Sequence, residues 1–497
     1  MGLLKTLNKI RGGWPGGWQA HARGSAGDRP PPFVQPTDPD DRRSLIPPLG
    51  LTEYWYPALP SKDIGRKKPV GLRMLGKDLV FFRDKAGKVQ ALWDYCPHRG
   101  AYLSWGDCFW KGYVSCPYHG ATFDGNGECV EFITEGPDSK MVGRLKARKF
   151  PTRTLKGIVF VWMGEGEPVP IQEDVPPELF ERDCIVLPAW RYWHCNWMVA
   201  LENAYDAHVG FYVHRDSFTW LRKKHGGVAR TPIGARPKIL NNRVVVPIRS
   251  ASQYYAKDGE LPYQMYYPRV GGYWPKHRWR LLWTWITEPM DARIQRRPRF
   301  ESPVEWENGQ RLPSVVRNNH WNHMYTRWVI PVEEGLTRVL YLHSARPTSR
   351  LAGVYERVQF KLVHNWVHHF NFSDQDYDAM SSVRYQYPEY LSSTDTCTAA
   401  FRRLVTEHAR GIKRDQPVAV PQTTTAEQRI IETDQALGVE PYAGFAGNAR
   451  DGAGADAGPT GNGADSAGAD AAPTANGADG AAAPDHASEV AGVDRRG

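Results

Sequence analysis

The feature that most constrains this chain is a pair of short cysteine–histidine motifs. Cys96 and His98 have one residue between them, Cys116 and His119 have two, and 17 residues separate the two motifs. Proline follows the cysteine in both motifs, and a glycine comes within two residues after each histidine, which is typical of tight loops. Each loop therefore carries one thiolate and one imidazole, and we expect the two loops to lie together around a shared metal group.

Two kinds of metal site are compatible with these residues. A structural zinc site is the first, but its motifs usually pair like with like, as in two cysteines followed by two histidines. In a Rieske [2Fe–2S] cluster, two histidines replace two cysteines on one iron, so each loop supplies one sulfur and one nitrogen. The alternation favours a Rieske cluster held by Cys96, His98, Cys116 and His119. The cysteines at 108 and 129 fall outside the pattern and are expected to be packing residues.

The ends of the 497-residue chain differ in composition from its middle. Residues 1–47 are rich in Gly, Pro and Arg, which predicts a flexible arm, and residues 441–497 are mostly Ala, Gly and Asp, which predicts a disordered tail. Residues 48–170 have the short apolar runs of an all-β domain, whereas residues 171–440 mix strands with helices. The predicted fold class is α+β: an N-terminal all-β cluster domain, then a domain with an antiparallel sheet covered by helices.

Individual elements follow from length and periodicity. The predicted strands have β-branched and aromatic content and are residues 79–82, 158–162, 278–286 and 338–343. Residues 198–213 have no strand alternation and are a candidate helix. Residues 354–383 contain few breakers and show helical spacing of apolar residues, so they are the best predicted helix.

The overall composition argues against several classes of protein. The net charge of +9 is spread along the chain, which does not favour nucleic-acid binding; an acidic electron-donor protein would account for it equally well. The seven cysteines are irregularly spaced, unlike a secreted disulfide framework. The sequence has no uninterrupted run of about 18 apolar residues, so it predicts no membrane span. We therefore expect a soluble cytoplasmic protein.

A second candidate metal site lies in residues 201–214. Asn203, Asp206, His208 and His214 place two imidazoles near a carboxylate and an amide. Non-haem Fe(II) oxygenases use two histidines and one carboxylate and leave positions open for dioxygen. The best source of a third ligand is the aspartate-rich segment 374–378. A rival histidine cluster at positions 364, 368 and 369 stays open, since 364 and 368 are one helical turn apart.

With these motifs the chain resembles the terminal oxygenase subunits of the Rieske non-haem iron oxygenases over about residues 50–430. The resemblance rests on the cluster loops at 96–100 and 116–120 and on the segments 55–57, 143–144, 150–151, 157–161 and 202–214. Within the family, residues 176–180 and 214–217 look most like the homotrimeric branch that includes carbazole 1,9a-dioxygenase and 2-oxoquinoline monooxygenase.

The resemblance implies which residues hold the mononuclear iron. They are His208, His214 and Asp376, with Asp374 in reserve, because the glutamine–aspartate pair at 375–376 is similar to the family's acidic pair. The spacing departs from the family pattern, which has two residues between the aspartate and the first histidine; Asp206 and His208 have only one. A distorted turn is therefore expected at this point.

The resemblance also implies roles for two neighbouring residues and an assembly. Asp206 is expected to bridge a cluster histidine of a neighbouring subunit and an iron-ligand histidine, and Asn203 to lie near the iron as a weak or distant ligand. The two metals of one subunit in this family lie too far apart for fast electron transfer. A head-to-tail homotrimer is therefore expected.

The implied reaction is insertion of dioxygen-derived oxygen into an aromatic or polycyclic small molecule. Each subunit is expected to carry one [2Fe–2S] cluster and one Fe(2+), and electrons are expected from a ferredoxin, an NAD(P)H-dependent reductase, or both. Three alternatives remain: a monooxygenase or demethylase, a steroid hydroxylase, and a Rieske electron carrier. A carrier would need only about the first 165 residues.

Overall fold

The computed structural model describes residues 42–206, 236–248 and 299–412, apart from 321, 367–368, 370–371, 384, 386–388, 390 and 392–394. The predicted iron ligands His208 and His214 and the predicted strand at 278–286 lie outside these residues. The first described residues belong to the predicted N-terminal arm, where Arg42–Leu45 form a 3₁₀-helix and Ile46 enters the hydrophobic core.

The first part of the described chain is built from short strands. Their bounds are β1 (Trp55–Pro60), β2 (Val70–Met74), β3 (Lys77–Arg83), β4 (Val89–Trp93), β5 (Val114–Ser115), β6 (Ala121–Phe123), β7 (Cys129–Phe132), β8 (Lys149–Phe150), β9 (Thr152–Leu155) and β10 (Ile158–Trp162). They form three antiparallel sheets with the orders β2-β3-β4-β8, β5-β6-β7 and β1-β10-β9. The strands predicted at 79–82 and 158–162 are confirmed by β3 and β10.

The second part of the described chain is one larger antiparallel sheet. Its strands are β11 (Ile185–Trp193), β12 (Arg236–Leu240), β13 (Val244–Ile248), β14 (Gly309–Arg311), β15 (Val315–Asn319), β16 (Met324–Glu333) and β17 (Leu336–Ala345). They pair in the order β11-β17-β16-β15-β14-β13-β12. The strand predicted at 338–343 is confirmed by β17, and the predicted α+β class is confirmed as well.

The described residues also contain helices of three kinds. The α-helices are α1 (Trp197–Glu202), α2 (Arg350–Gln359), α3 (Ser373–Met380) and α4 (Thr396–His408), and a π-helix spans Phe360–His364. The further 3₁₀-helices are Ser61–Asp63, Leu103–Trp105, Ile171–Glu173, Pro177–Leu179, Asn203–Tyr205 and Val304–Trp306. Helix α4 contacts β12, β13 and α1. Within the described residues, no helix combines the length and the apolar character needed to cross a membrane.

Both predicted helices differ from the structure in detail. The helix predicted over 354–383 begins earlier, at Arg350, changes from α- to π-geometry at Phe360, and has α-geometry again in α3, Ser373–Met380. A π-helix shifts the hydrogen-bond register by one residue and commonly occurs near functional sites. The α-helix predicted from 198 ends at Glu202 and passes into the 3₁₀-turn Asn203–Tyr205. Asp206 therefore lies beyond the α-helix instead of within it.

Strand β3 explains where the cluster loops lie. Successive side chains of a strand point to opposite faces. Leu79 and Phe81 enter a large core shared with β16 and β17, whereas Val80 and Phe82 enter a second, smaller core. The side chains of Cys96 and Cys116 belong to that second core. The cluster motifs thus pack on the face of the four-stranded sheet that points away from the large core.

The four-stranded sheet is also joined directly to the larger sheet. In the turn between β2 and β3, the amides of Leu75 and Gly76 donate hydrogen bonds to carbonyl oxygens of β16 at 2.8 and 3.0 Å. Arg73 Nη1 on β2 donates to Glu333 Oε1 on β16 at 2.6 Å. Backbone and charge-assisted hydrogen bonds therefore fix the cluster-bearing part against the larger sheet.

Candidate metal sites

The two cluster motifs fold into loops with the same backbone pattern. In each loop a glycine amide donates to the carbonyl oxygen of the cysteine four residues earlier, Gly100 to Cys96 at 2.8 Å and Gly120 to Cys116 at 3.2 Å. Both glycines have positive φ, 77° and 71°, which glycine adopts without steric cost because it lacks Cβ. The motifs therefore form matched tight turns, and these turns carry the four predicted ligands.

The side chains of the predicted cluster ligands form two pairs. Cys96 and Cys116 are buried, 2% and 4% exposed, and their thiols are close enough to shift each other's pKa. The half-buried rings of His98 and His119 have centroids 4.7 Å apart. A sulfur pair on the inside and an imidazole pair on the outside fit a Rieske cluster, in which each iron takes two protein ligands.

The two thiols influence each other's titration. The neighbouring Cys96 thiol is the largest cause that lowers the pKa of Cys116 below its ordinary value. The same contact is the largest cause that raises the pKa of Cys96. Within the part of the chain that the structure describes, no three or more His, Cys, Asp or Glu side chains converge on a site for one ion. The cluster loops instead offer two pairs of donors, which suits a two-iron group.

Asp376, the predicted third ligand of the mononuclear iron, lies in a buried polar network. Asn203 Nδ2 donates to Asp376 Oδ1 at 3.2 Å, and Asp376 Oδ2 lies 3.8 Å from Arg327 Nη1. Arg327 also donates to Asn203 Oδ1 at 3.2 Å and to the carbonyl oxygen of Ala200 at 2.9 Å. The structure thus brings together Asn203 and Asp376, which were predicted for one site although 173 positions separate them.

The reserve ligand, Asp374, has a different environment. Its carboxylate pairs with Arg191 on β11, and the same guanidinium donates to the carbonyl oxygen of His369. The Asp374 side chain is partly exposed, whereas that of Asp376 is buried. The contact with Asn203 and the burial both favour Asp376 over Asp374 as the iron-facing carboxylate.

Asp206 is the last described residue before the two predicted histidine ligands. Asp206 is half-buried and has an extended backbone, with φ −63° and ψ 121°, directly after the 3₁₀-turn. His208 and His214 lie outside the described residues. Their ligand roles, and the distorted turn expected from the short Asp206–His208 spacing, stay predictions.

The rival histidine cluster is only partly described, because His368 lies outside the described residues. The ring of His364, on the π-helix, stacks with that of His343 on β17, centroids 5.2 Å apart. His343 Nε2 lies 2.7 Å from Glu356 Oε1 on α2. The buried ring of His369 lies 4.3 Å from that of Tyr341, and burial lowers the pKa of His369 well below its ordinary value. These histidines pack between the helices and the large sheet.

A cavity of about 400 Å³ opens beside Asp206. Glu202, Asn203 and Asp206 line one side of it, and residues of α3, α4 and the segment between them line the other. Apolar and charged side chains share its wall, among them Met380, Val383, Glu389 and Arg402. Because it borders both Asn203 and Asp206, this cavity is the candidate approach to the predicted iron site.

Sequence reasoning missed the arginines that support the site. Arg402 on α4 donates to both carboxylate oxygens of Glu202, at 2.6 and 2.8 Å, and also pairs with Glu389. Burial raises the pKa of Glu202, and the charge of Arg402 opposes that effect. Arg402 and Glu202 are 200 positions apart, so no local pattern indicates their contact. Arg327 was missed for the same reason.

Two family models match consecutive parts of this chain. Residues 54–151 match the family model of the Rieske [2Fe-2S] domain, and residues 162–260 match that of the homotrimeric ring hydroxylases. The terminal oxygenase component of carbazole 1,9a-dioxygenase from Sphingomonas sp. is 27% identical over 385 residues, which cover 73% of this chain and 93% of that protein. The oxygenase component of dicamba O-demethylase from Stenotrophomonas maltophilia is 35% identical over 181 residues, covering 34% of this chain and 51% of that protein.

A solved structure supports the fold over most of the chain. The oxygenase in the reduced complex between oxygenase and ferredoxin in carbazole 1,9a-dioxygenase superposes with a TM-score of 0.55 at 24% identity. The match covers 74% of this chain and 92% of that one.

Proposed function

The chain belongs to the Rieske non-haem iron oxygenases, and on that premise we propose that it is the terminal oxygenase component of an aromatic-ring-hydroxylating system. One observation carries the proposal: a single chain holds both a paired thiolate–imidazole site and a buried amide–carboxylate site at Asn203 and Asp376. A Rieske electron carrier would have no use for the second site. We accordingly divide the chain into a cluster domain at 48–170 and a catalytic domain at 171–440, with an arm at 1–47 and a tail at 441–497.

The proposed metal ligands form two sets. They are Cys96, His98, Cys116 and His119 for one [2Fe–2S] cluster, and His208, His214 and Asp376 for one Fe(2+). The donor sets suit these groups, because two thiolates with two imidazoles are the Rieske set and two imidazoles with one carboxylate are the set of non-haem oxygenases. When bound, the cluster supplies a store for one electron and the iron supplies open positions for dioxygen.

The residues around Asp376 would hold its carboxylate in one orientation. The Asn203 amide donates to Oδ1 at 3.2 Å, and the Arg327 guanidinium faces Oδ2 at 3.8 Å. Arg327 is itself fixed by the carbonyl oxygen of Ala200 on α1. Such supporting hydrogen bonds commonly set the direction and basicity of a metal-binding carboxylate. Asn203 thus has a positioning role in this proposal, in addition to any weak contact with the metal.

We assign Asp206 the role of a bridge between subunits of a homotrimer. Asp206 is half-buried and lines the cavity beside Asn203. A carboxylate between a neighbour's cluster histidine and an iron-ligand histidine would fix the tautomer of both imidazoles. A ferredoxin or an NAD(P)H-dependent reductase would donate the electrons, and we infer a cytoplasmic location for the system.

The substrate class proposed is an aromatic or polycyclic small molecule. The likeness to carbazole 1,9a-dioxygenase favours ring hydroxylation, whereas the likeness to dicamba O-demethylase keeps monooxygenation or demethylation as the second candidate. A steroid hydroxylase is a variant of that second candidate. Product analysis under ¹⁸O-labelled dioxygen, with a panel of aromatic, heterocyclic and steroid compounds, separates them: two labelled oxygens indicate dioxygenation and one indicates monooxygenation.

Replacement of Asp206 tests the proposed bridge. Asp206→Ala should keep the visible spectrum of the cluster and the full iron content but lose coupled turnover, because the imidazoles on both sides lose their common partner. Asp395→Ala, which removes another carboxylate from the same cavity, is the matched control and should stay coupled. Wild-type product formation by Asp206→Ala would refute the bridging role.

A further inference from the structure

Three neighbouring loops of the cluster-bearing part form one unusual surface. They are residues 65–68, 84–88 and 105–113, and we call their exposed face the basic aromatic surface. Trp105, Phe109 and Trp110 stand out from it, 60%, 66% and 47% exposed. A group of large exposed aromatic side chains within six positions is typical of an interaction site.

The charge of this surface is strongly one-sided. The three loops contain six basic residues and two acidic ones: Arg66, Lys67, Lys68, Lys85, Lys88 and Lys111 against Asp84 and Asp107. Both acids are already engaged, since Asp107 pairs with Lys68 and Asp84 accepts hydrogen bonds from Gln90 and from the amide of Lys88. The surface therefore presents a net positive field around its aromatic residues.

Contacts between the loops make this a single surface. The amide of Cys108 donates to the carbonyl oxygen of Lys67 at 3.0 Å. Lys85 Nζ lies 4.9 Å from the centre of the Tyr113 ring. A Cβ added at Gly112 would lie 2.6 Å from the backbone nitrogen of Lys85, so the backbones of these two loops are in close contact. The aromatic and basic side chains are thus held together by the fold.

The surface is connected to the cysteine side of the cluster site. The ring centroids of Trp105 and Tyr102 are 5.7 Å apart, and those of Tyr102 and Tyr95 are 5.2 Å apart. Tyr95 directly precedes Cys96 and is anchored by a hydrogen bond from its hydroxyl to Asp78 Oδ2 at 2.6 Å. A row of three neighbouring aromatic rings therefore leads from the exposed Trp105 to Tyr95, the residue next to the predicted ligand Cys96.

We propose that the basic aromatic surface docks an acidic electron-donor protein, which reduces the cluster from its cysteine side. This inference rests on the proposed function, in which the electron leaves by the half-buried histidine pair toward a neighbouring subunit. In the step itself, the reduced donor loses one electron and the cluster gains it, with no bond made or broken. The positive field attracts an acidic partner and speeds encounter, and the aromatic residues supply the apolar centre of the contact.

Stopped-flow reduction of the cluster tests this docking site without relying on turnover. The probe is a reduced, acidic plant-type [2Fe–2S] ferredoxin, and the readout is the visible absorbance of the cluster under anaerobic conditions. Two double variants are compared with the wild type. The charge variant combines Lys67→Glu with Lys111→Glu, and the aromatic variant combines Phe109→Ser with Trp110→Ser. Arg350→Glu with Lys361→Glu, which reverses two exposed charges on α2 and the π-helix, is the matched control.

The charge variant should be reduced at least about tenfold more slowly than the wild type at low salt, and the difference should shrink as salt screens the charges. The aromatic variant should saturate at higher donor concentration, and the control should react as the wild type. Reduction by dithionite, which needs no docking, should be equal in all four proteins. Unchanged rates in the charge variant, or failure of the acidic ferredoxin to reduce the wild type, would overturn the proposal.

Two further outcomes separate this inference from others. If the aromatic variant changes the oligomeric state in sedimentation analysis, the surface is a contact between subunits and the docking proposal is wrong. If the purified wild type lacks the visible spectrum of a Rieske cluster, the proposed function itself is wrong. Intact metal content with wild-type reduction of the charge variant refutes the docking site alone.

Discussion

The contact between Arg402 and Glu202 gives a quantitative prediction about the support of the iron site. Arg402 is buried on α4 and donates to both oxygens of Glu202, the last residue of α1. Glu202 directly precedes Asn203, which contacts Asp376. Arg402→Met keeps the length and apolar stem of the side chain but removes its charge and all of its hydrogen bonds to Glu202.

The expected loss of stability follows from burial. Removal of one partner of a buried ion pair typically costs about 3–5 kcal/mol, because the other charge is left without compensation. At about 2–4 °C per kcal/mol for a unit of 150–250 residues, the melting temperature should fall by roughly 6–20 °C. The loss should be smaller at low pH, because burial raises the pKa of Glu202 and protonation removes the uncompensated charge.

The same helix provides a matched control. Arg403 is exposed and pairs with Glu407 one turn away, at 3.0 Å; an exposed pair of this kind contributes only about 0.3–0.5 kcal/mol. Thermal unfolding followed by tryptophan fluorescence should therefore show a large shift for Arg402→Met and almost none for Arg403→Met. Glu202→Gln added to Arg402→Met should recover part of the loss. Equal melting temperatures for the two single variants would refute the buried-pair reasoning.

Two further predictions concern the cluster loops and the buried histidines. A Cβ at Gly106 would lie 1.8 Å from the carbonyl oxygen of Ser115, the residue before Cys116, so Gly106→Ala should lower the cluster absorbance per chain. The control Gly65→Ala should not, because a Cβ there has nothing within 4 Å. Equal absorbance of the two variants would contradict the predicted clash. Burial holds the pKa of His369 well below its ordinary value, so below about pH 6.5 this histidine is protonated in the unfolded chain but not in the folded one. The free energy of unfolding should therefore fall with pH in this range, by up to about 1.4 kcal/mol per pH unit. Melting temperatures at about pH 7.5 and 5.5 should differ less in His369→Gln than in the wild type; an unchanged difference would show that another group titrates.

Local patterns were sufficient to predict the cluster loops and several strands. The ligand spacing at Cys96 and Cys116 requires tight turns, and those turns form with positive φ at Gly100 and Gly120. Apolar runs bounded by turn residues became β3 and β10. Such features depend on residues within a few positions of one another, so they can be predicted from a single sequence.

The helices near the predicted iron site were harder to predict. The segment from Arg350 onward has continuous helical spacing, but the structure changes to a π-helix at Phe360. Likewise α1 ends at Glu202, although the following residues contain no proline or glycine until position 210. Helix α1 contacts β16 and α4, and such tertiary contacts are not visible in the periodicity of one chain.

Long-range polar contacts are the part of the site that the sequence did not reveal. Arg327 comes from β16, Asn203 follows α1 and Asp376 lies on α3, yet their side chains form one network. Their pairing depends on the order of strands in the large sheet and on the packing of helices against it. Asn203 and Asp376 were predicted through family resemblance, whereas Arg327 matched no motif and emerged only from the structure.

The iron content of the purified chain tests the central claim most directly. A chain with both a Rieske cluster and a mononuclear site should contain about three irons and two acid-labile sulfides. His214→Ala should lower the iron to about two per chain while the visible spectrum of the cluster is retained. Two irons in the wild type, or no loss of iron in His214→Ala, would contradict the account.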